Sequence, residues 1–192
     1  MDQGLDNIKV SVVDLWPTTI YNLDVALDFD ALKTEIYKLA AVPNSIKKSN
    51  YGGWQSDVDL FTNPVFKPLC QYIARTCFIL FHSESINFNQ MWACINKKHD
   101  QNLIHSHGER CHFSGVYYVD IPENPGAIVF RDPRPSATNA ASRGKLGYGD
   151  CEHFLPHTGQ MLIFPSWLDH FVLPNESDHD RISISFDIVL GD

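Results

Sequence analysis

Three histidines in this chain have the residue type and spacing of a metal site. His105 and His107 lie two residues apart in a segment predicted to be a strand, so their side chains point to one face. His170 lies far along the chain, where the apolar run ending at Phe164 leads into a turn. Neutral imidazoles bind Fe(II), Zn(II) and Cu(II). A β-barrel or double-sheet sandwich brings such distant residues together at its mouth, so the three histidines predict one metal centre.

The same segment contains a second possible ligand set. Glu109 lies two residues after His107, and this pair together with His170 would supply two histidines and one carboxylate. That set is the usual one for non-haem iron oxygenases, because it leaves coordination positions open. His105, His107 and His170 would instead form a three-histidine site. The residues by themselves leave the choice between His105 and Glu109 open.

An arginine and a hydroxyl lie a short distance beyond the third histidine. Arg181 and Ser183 alternate onto one face of the run that ends at Leu190. A planar guanidinium binds a carboxylate through two parallel hydrogen bonds. Beside a ferrous centre, this pair predicts a clamp for the distal carboxylate of 2-oxoglutarate, if Arg181 faces the barrel interior and not solvent. The opposite face of the run is apolar and is formed by Ile182, Ile184, Phe186 and Ile188.

Strand-like segments dominate the second half of the chain. The first half is predicted to hold an extended segment over 8–21 and two helices, one from Phe29 to Leu39 and one that begins with Asn63 as cap and Pro64 in its first turn. This order predicts an α+β, mainly β fold: a double-stranded β-helix of jelly-roll or cupin-like type, with both helices packed on its outer face. The predicted strands cover 88–97, 103–109, 113–121, 126–130, 151–155, 160–164, 169–173 and 181–190.

The length of 192 residues predicts a single domain, and the candidate iron ligands and carboxylate clamp predict that it is an oxygenase domain. Within it, residues 1–85 form a support region of strand and helix, and residues 86–192 form the jelly-roll catalytic core. Residues 132–150 are small, polar and rich in glycine and proline, which predicts a long loop. Such a loop either covers the substrate as a lid or lies on the surface as a mobile connection.

Composition limits the partners and the compartment. The net charge of −8 argues against a nucleic-acid surface, since such surfaces are basic. No apolar run approaches transmembrane length, and the first residues lack the basic stretch and apolar core of a signal peptide. The five cysteines are odd in number and show no CxxC spacing, which is typical of free thiols in a reducing compartment. We therefore expect a cytoplasmic protein.

Residues 91–187 resemble the 2-oxoglutarate/Fe(II)-dependent oxygenases found in marine bacteria and their phages. Six segments match in order, and together they are specific. The family usually has an asparagine two residues after the tryptophan, where this chain has Cys94. The matching segments are Trp92…Asn96, Asn102 to His107, Ser114 to Val119, Phe130 to Arg134, Phe164 to His170 and Arg181 to Phe186.

The resemblance implies a role for each candidate residue. The His-x-His pair recurs in this family, whereas the residue at the Glu109 position varies, which favours His105, His107 and His170 as the iron ligands. The family's arginine spacing implies that Arg181 holds 2-oxoglutarate, with Ser183 donating a further hydrogen bond. In related folds the second tyrosine of a Tyr-Tyr strand reaches the same carboxylate. That residue is Tyr118 here, for which a place in the core is the alternative.

The predicted function is an Fe(II)- and 2-oxoglutarate-dependent dioxygenase. It would use O₂ to hydroxylate an unknown small molecule or protein side chain, with release of succinate and CO₂. One alternative is a cupin-like metalloprotein, such as an isomerase or a cofactor-independent dioxygenase, which would leave Arg181 and Ser183 without a role. Another is a non-catalytic jelly-roll binding module, which would leave the three histidines unexplained. No nucleic-acid or membrane partner is expected, and a homodimer stays an open possibility.

Overall fold

Two antiparallel sheets face each other in the computed structural model, which describes residues 11–42, 45–134, 136 and 150–191. The strands are numbered in chain order, and every pairing between them is antiparallel. The larger sheet contains, in spatial order, β1 (Tyr21–Asp24), β9 (Gln160–Pro165), β6 (Phe113–Asp120), β11 (Arg181–Leu190), β4 (Ile86–Asn96) and β3 (Trp54–Gln55). The smaller sheet contains β2 (Asn50–Tyr51), β5 (Gln101–His105), β10 (His170–Val172), β7 (Ile128–Arg131) and β8 (Cys151–Phe154).

Two α-helices come from the first half of the chain, as predicted. Helix α1 (Phe29–Ala40) begins after Asp28, whose carboxylate accepts a hydrogen bond from the backbone N–H of Ala31 at 3.0 Å. Helix α2 (Lys67–Phe81) follows a short 3₁₀ turn, Pro64–Phe66. The predicted cap Asn63 accepts from the N–H of Val65 at 3.0 Å, so it caps this turn, which leads directly into the helix.

The two helices cover the outer face of the larger sheet. Neighbouring side chains on a strand point to opposite faces of the sheet. The apolar stripes of the helices pack on the outward-facing side chains of the larger sheet, and the side chains between these face the smaller sheet. A second, smaller apolar cluster lies between the two sheets. The larger core includes Leu32, Ile36, Phe66, Leu69, Ile73, Tyr117, Ile163, Ile182, Ile184, Phe186 and Ile188. The inter-sheet cluster comprises Val116, Tyr118, Ile128, Phe130, Leu162, Phe164, Leu168 and Val172.

Strand β11 lies at the centre of the larger sheet, between β6 and β4. Its even-numbered apolar residues pack under the helices, so its odd-numbered residues face the space between the sheets. Arg181, Ser183 and Asp187 are all buried on that inner face. The alternation expected for this run is therefore confirmed, and Arg181 points to the interior and not to solvent.

The strand predicted over 103–109 ends earlier, at His105. Its partner β10 begins at His170, which pairs with His105, so the described structure offers no strand to continue the ladder. Of the extended segment predicted over 8–21, residues 8–10 lie outside the described part, residues 11–20 form no strand, and Tyr21 begins β1. The predicted loop over 132–150 includes residues 135 and 137–149, which also lie outside it, so its role stays a prediction. In the described residues, no helix is long and apolar enough to cross a membrane.

Candidate functional site

The fold brings the three predicted histidines together. His105 ends β5 and His170 begins β10, and the two are direct partners across this antiparallel pair. His107 lies two residues beyond the end of β5, with its Nε2 atom 3.3 Å from Nε2 of His170. One ligand atom from each histidine lies within 4.8 Å of the others. Among the described residues, this is the group of His, Cys, Asp and Glu side chains that meets the spacing of a metal site.

A turn, and not strand alternation, directs His107 toward its partners. The backbone of His107 is helical, with φ −97° and ψ −5°, and Gly108 follows with φ 71°. A non-glycine residue rarely adopts such a positive φ, so the glycine permits the turn. The N–H of His107 donates to the carbonyl oxygen of Ser166 at 2.9 Å. The predicted grouping of His105 and His107 is correct, but the predicted reason for it is wrong.

Each histidine uses its Nδ1 atom in a hydrogen bond. His105 Nδ1 lies 2.7 Å from the carbonyl oxygen of Leu103, and His170 Nδ1 lies 2.8 Å from that of Leu168. Carbonyl oxygens only accept, so both Nδ1 atoms carry the proton. His107 Nδ1 lies 2.9 and 3.1 Å from the two carboxylate oxygens of Asp187. With Nδ1 protonated, the lone pair of Nε2 is free for a metal ion, as is usual for histidine ligands.

Burial keeps two of these imidazoles in the neutral form that binds metals. It lowers the pKa of His105 from its ordinary value. It also lowers the pKa of His170 to about 3, and the neighbouring His105 and His107 add to that effect. Such imidazoles are unprotonated at neutral pH. The cluster therefore has the donor chemistry of a divalent transition-metal site, and Fe(II) fits it.

Glu109, the competing ligand, does not share a strand face with His107. It lies in a 3₁₀ turn, Gly108–Arg110, so the His-x-Glu pair predicted on one strand is not formed as a strand pair. The side chain of Glu109 lies outside the described part of the structure. Its participation as a ligand in place of His105 therefore stays a prediction.

A cleft runs from the three histidines to the predicted carboxylate clamp. Its cavity volume is about 50 Å³. Arg181, only 2% exposed, lines it together with Ser183 and Tyr118. The remaining lining residues are Ser49, Trp92, Cys94, Asn102, Gly115, Val116, Ile128, Phe164, Val172 and Ser185. The structure thus places every predicted site residue on one cavity.

Two buried polar atoms of this cleft lack a well-formed hydrogen bond within the described residues. Arg181 Nε and Tyr118 Oη make no hydrogen bond that meets ordinary geometric limits within the described residues. The guanidinium carbon lies 5.3 Å from the centre of the Tyr118 ring. Burial raises the pKa of Tyr118, so its phenol keeps the proton and can donate. Unsatisfied buried donors beside a buried cation are costly, and a carboxylate in the cleft would satisfy both.

Three residues around the cluster were not predicted from the sequence. Asp187 is 3% exposed and contacts His107, and Ser114 Oγ donates to its Oδ1 at 2.7 Å. Trp92 stacks on the His107 ring with centroids 5.6 Å apart. A sequence signal existed for Asp187, because it shares the inner face of β11 with Arg181 and a carboxylate there is unusual. No sequence signal indicated that Ser114 contacts Asp187 or that Trp92 contacts His107.

Comparison with protein families gives one match. A family model described as "Putative 2OG-Fe(II) oxygenase" matches residues 90–187. That range is about half of the chain and includes every predicted site residue. No curated protein matches the chain.

Solved structures share the fold at low sequence identity. The epimerase SnoN from nogalamycin biosynthesis superimposes with a TM-score of 0.69 at 14% identity, covering 90% of this chain and 76% of SnoN. A Pseudomonas putida prolyl-4-hydroxylase gives 0.64 at 14% identity, covering 91% and 94%. The viral collagen prolyl hydroxylase of Paramecium Bursaria Chlorella virus-1, solved as a 2OG complex, gives 0.62 at 16% identity, covering 88% and 94%. The predicted double-stranded β-helix fold is therefore confirmed.

Proposed function

Because the chain belongs to the family described as putative 2OG-Fe(II) oxygenases, we propose that His105, His107 and His170 hold the iron of a 2-oxoglutarate-dependent oxygenase. The protein is a 2OG/Fe(II)-dependent oxygenase by membership of that family. When bound, iron supplies the redox chemistry that couples conversion of 2-oxoglutarate and O₂ to succinate and CO₂ with oxidation of a substrate. The proposal concerns which residues hold each component and what the oxidation yields.

The metal assignment is supported by the orientation of the three imidazoles. His105, His107 and His170 each use Nδ1 for a hydrogen bond, which fixes the ring and leaves Nε2 for the ion. Three ligands from one small cluster leave coordination positions for a bidentate cosubstrate and for O₂. His105 and His170 come from neighbouring strands, so the sheet itself holds two of the three ligands in place.

The observation that carries the cosubstrate assignment is the buried Arg181 in the same cleft, whose Nε atom makes no hydrogen bond within the described residues. A guanidinium holds a carboxylate through two parallel hydrogen bonds, and burial excludes the water that would otherwise screen them. Ser183 and Tyr118 line the same cleft and each can donate a hydrogen bond. We assign the distal carboxylate of 2-oxoglutarate to these three residues. The cupin-like alternative gives Arg181 and Ser183 no role, and the binding-module alternative leaves the three histidines unexplained.

Hydroxylation is the proposed outcome, with a small molecule or a protein side chain as substrate. The printed names of the fold relatives include two prolyl hydroxylases and an epimerase. The fold therefore accommodates more than one outcome, and hydroxylation is the default because no residue here indicates another. His105 and His107 also line an open groove of about 430 Å³, and we assign substrate entry to it. Lys48, Gln90 and Leu103 are among its lining residues.

A cytoplasmic location and a single domain over 1–192 are also proposed. All five cysteines are free, which supports a reducing compartment. Both helices of the 1–85 region pack on the sheet that contains β4 and β11, which supports one shared core for the support region and the jelly roll. Limited proteolysis that released a stable 86–192 fragment would contradict the single domain.

Anaerobic titration tests the assignment directly. Fe(II) followed by 2-oxoglutarate should produce the weak visible charge-transfer band of a bidentate 2-oxo acid on ferrous iron. The band should require both His170 and Arg181 at low cosubstrate concentration. Succinate release in air, measured over panels of small molecules and peptides, would then identify the substrate class. If wild-type protein binds iron yet gives neither the band nor thermal protection by 2-oxoglutarate, the cosubstrate assignment is wrong.

A further inference from the structure

Asp187 is a buried carboxylate directly behind the metal cluster. It lies on the inner face of β11, is 3% exposed, and pairs in register with Ser114 of β6. The hydroxyl of Ser114 donates to Oδ1 at 2.7 Å. His107 Nδ1 lies 2.9 Å from Oδ1 and 3.1 Å from Oδ2. The side chain therefore makes its hydrogen bonds to one hydroxyl and one imidazole.

These contacts leave the charge of Asp187 without an ordinary counter-ion. Burying a carboxylate is costly unless a cation lies nearby. Within the described part of the chain, no lysine or arginine forms an ion pair with Asp187, and its ion-pair partner is His107. If the Nε2 atom of His107 binds a metal while Nδ1 donates, the imidazole itself carries no proton-derived positive charge. A metal ion on the far side of the ring would then supply a positive charge close to Asp187.

Compared with the common ferrous ligand set, the three-histidine set lacks one negative charge. The common ferrous site has two histidines and one carboxylate, which places one negative charge on the metal. Three imidazoles place none. A carboxylate that accepts a hydrogen bond from a ligand imidazole makes that imidazole more basic and so partly replaces the missing charge.

The ring between Asp187 and the cluster is held in a fixed position. Trp92 stacks on His107 at 5.6 Å between ring centroids, and the rings of His107 and His170 are parallel to within 1°. The backbone N–H of His107 is anchored on the carbonyl of Ser166. The hydrogen bond to Asp187 therefore acts on a ring whose other contacts already define its plane.

We propose that Asp187 supplies, through His107, the negative charge that the three-histidine site lacks. It is a positioning residue, since it touches neither the metal nor the cosubstrate. This inference rests on the proposed function, because it requires the three histidines to be the ligands. It predicts that the ferrous ion is bound more tightly, and is more electron-rich, than three imidazoles alone would make it.

Asp187→Asn separates charge from shape. The amide has the size of the carboxylate, its oxygen can accept from His107 Nδ1, and its NH₂ can donate to the Ser114 oxygen. Anaerobic titration should show Fe(II) affinity reduced by about 10–100-fold, the usual loss on removing such a partner. The charge-transfer band with 2-oxoglutarate should move to higher energy, because a less electron-rich iron gives up its electron less readily. Circular dichroism and the unfolding midpoint of the metal-free protein should stay close to wild type.

Two matched controls separate the proposed role from general effects. Ser114→Ala removes a hydrogen bond from the same carboxylate but keeps its charge, so the band should stay at its wild-type energy. Asp169→Asn removes a carboxylate that is adjacent in the chain to His170 and makes no hydrogen bond to a ligand imidazole within the described residues. It should leave Fe(II) affinity within a few-fold of wild type. If Asp169→Asn lost as much Fe(II) affinity as Asp187→Asn, the effect of Asp187 would be that of any nearby negative charge, and the proposal would be overturned.

A double-mutant cycle tests the route through His107. In a His107→Ala background, Asp187→Asn should cause no further loss of metal affinity, whereas independent effects would multiply. If Asp187→Asn does not fold, Asp187→Glu and Asp187→Gln replace it, because these two side chains have the same shape and differ in charge. The Glu variant should bind Fe(II) more tightly than the Gln variant. Unchanged affinity and band energy in Asp187→Asn would overturn the inference alone. Failure of the wild-type protein to bind Fe(II) would instead overturn the proposed function.

Discussion

His105 and His170 are direct partners across the antiparallel pair of β5 and β10, with ring centroids 4.4 Å apart. Because each residue ends or begins its strand, the two imidazoles meet at the mouth of the inter-sheet space. The hydrogen-bond ladder thus fixes their separation before any metal is present. His107 completes the cluster from a turn, which makes it the ligand whose position depends most on contacts outside the sheet.

The first prediction concerns iron binding by His170. His170→Ala removes a buried Nε2 donor from the cluster, so Fe(II) affinity should fall by more than the about 10–100-fold typical of losing a second-sphere partner. Anaerobic equilibrium dialysis with metal analysis measures the loss. His153→Ala, at an exposed histidine of β8, is the matched control and should bind like wild type. Full iron occupancy in His170→Ala would remove this residue from the ligand set.

The second prediction distinguishes the two ligand sets. His105→Ala should abolish stoichiometric Fe(II) binding, because the Nε2 atom of His105 belongs to the cluster. Glu109→Ala should retain one iron per chain, measured by the same dialysis. The reverse pattern, with iron lost in Glu109→Ala and retained in His105→Ala, would establish the two-histidine, one-carboxylate site in place of the three-histidine site.

The third prediction concerns the carboxylate clamp. Arg181→Ala should weaken 2-oxoglutarate binding by about 2–5 kcal/mol, roughly thirty- to several-thousand-fold, since it leaves a buried carboxylate unpaired. Arg181→Lys keeps the charge but loses the paired donors, so its loss of 2-oxoglutarate affinity should lie toward the lower end of that range. Ser183→Ala should be milder, at about 1.5–3 kcal/mol. Titration of the charge-transfer band under nitrogen gives each affinity, and Fe(II) binding serves as the internal control. Wild-type 2-oxoglutarate affinity in Arg181→Ala would place the clamp elsewhere.

The fourth prediction concerns stability without the cosubstrate. Arg181 is a buried cation whose Nε atom makes no hydrogen bond to the described part of the chain, so replacing it with an apolar side chain of similar length should cost little stability or stabilise the fold. Arg181→Met should therefore leave the unfolding free energy of the metal-free protein unchanged or raise it by about 1–4 kcal/mol. Added 2-oxoglutarate should raise the unfolding midpoint of the iron-loaded wild type and not that of the variant. A large destabilisation in Arg181→Met would mean that the guanidinium has structural partners instead.

Local sequence signals were sufficient where one strand or helix determines the outcome. The cap Asn63 and the proline after it predicted where the second helix begins, because capping is a property of a short segment. Alternation along β11 predicted that Arg181 and Ser183 share a face, because neighbouring strand residues always point to opposite sides. The resemblance to a known family added the choice of interior over solvent for Arg181.

Strand ends and contacts between strands required the tertiary structure. The sequence by itself determined which histidines, arginine and hydroxyls are available and, for β11, which of them share a face. It did not determine that β5 stops at His105, because a strand ends where its partner ends, and the partner β10 lies more than sixty residues away. Because β5 ends at His105, the chain turns at Gly108, and the carbonyl oxygen of Ser166 anchors the backbone of His107. These two features place His107 against Asp187. These contacts join residues distant in the chain, so only the packing of the two sheets decided them.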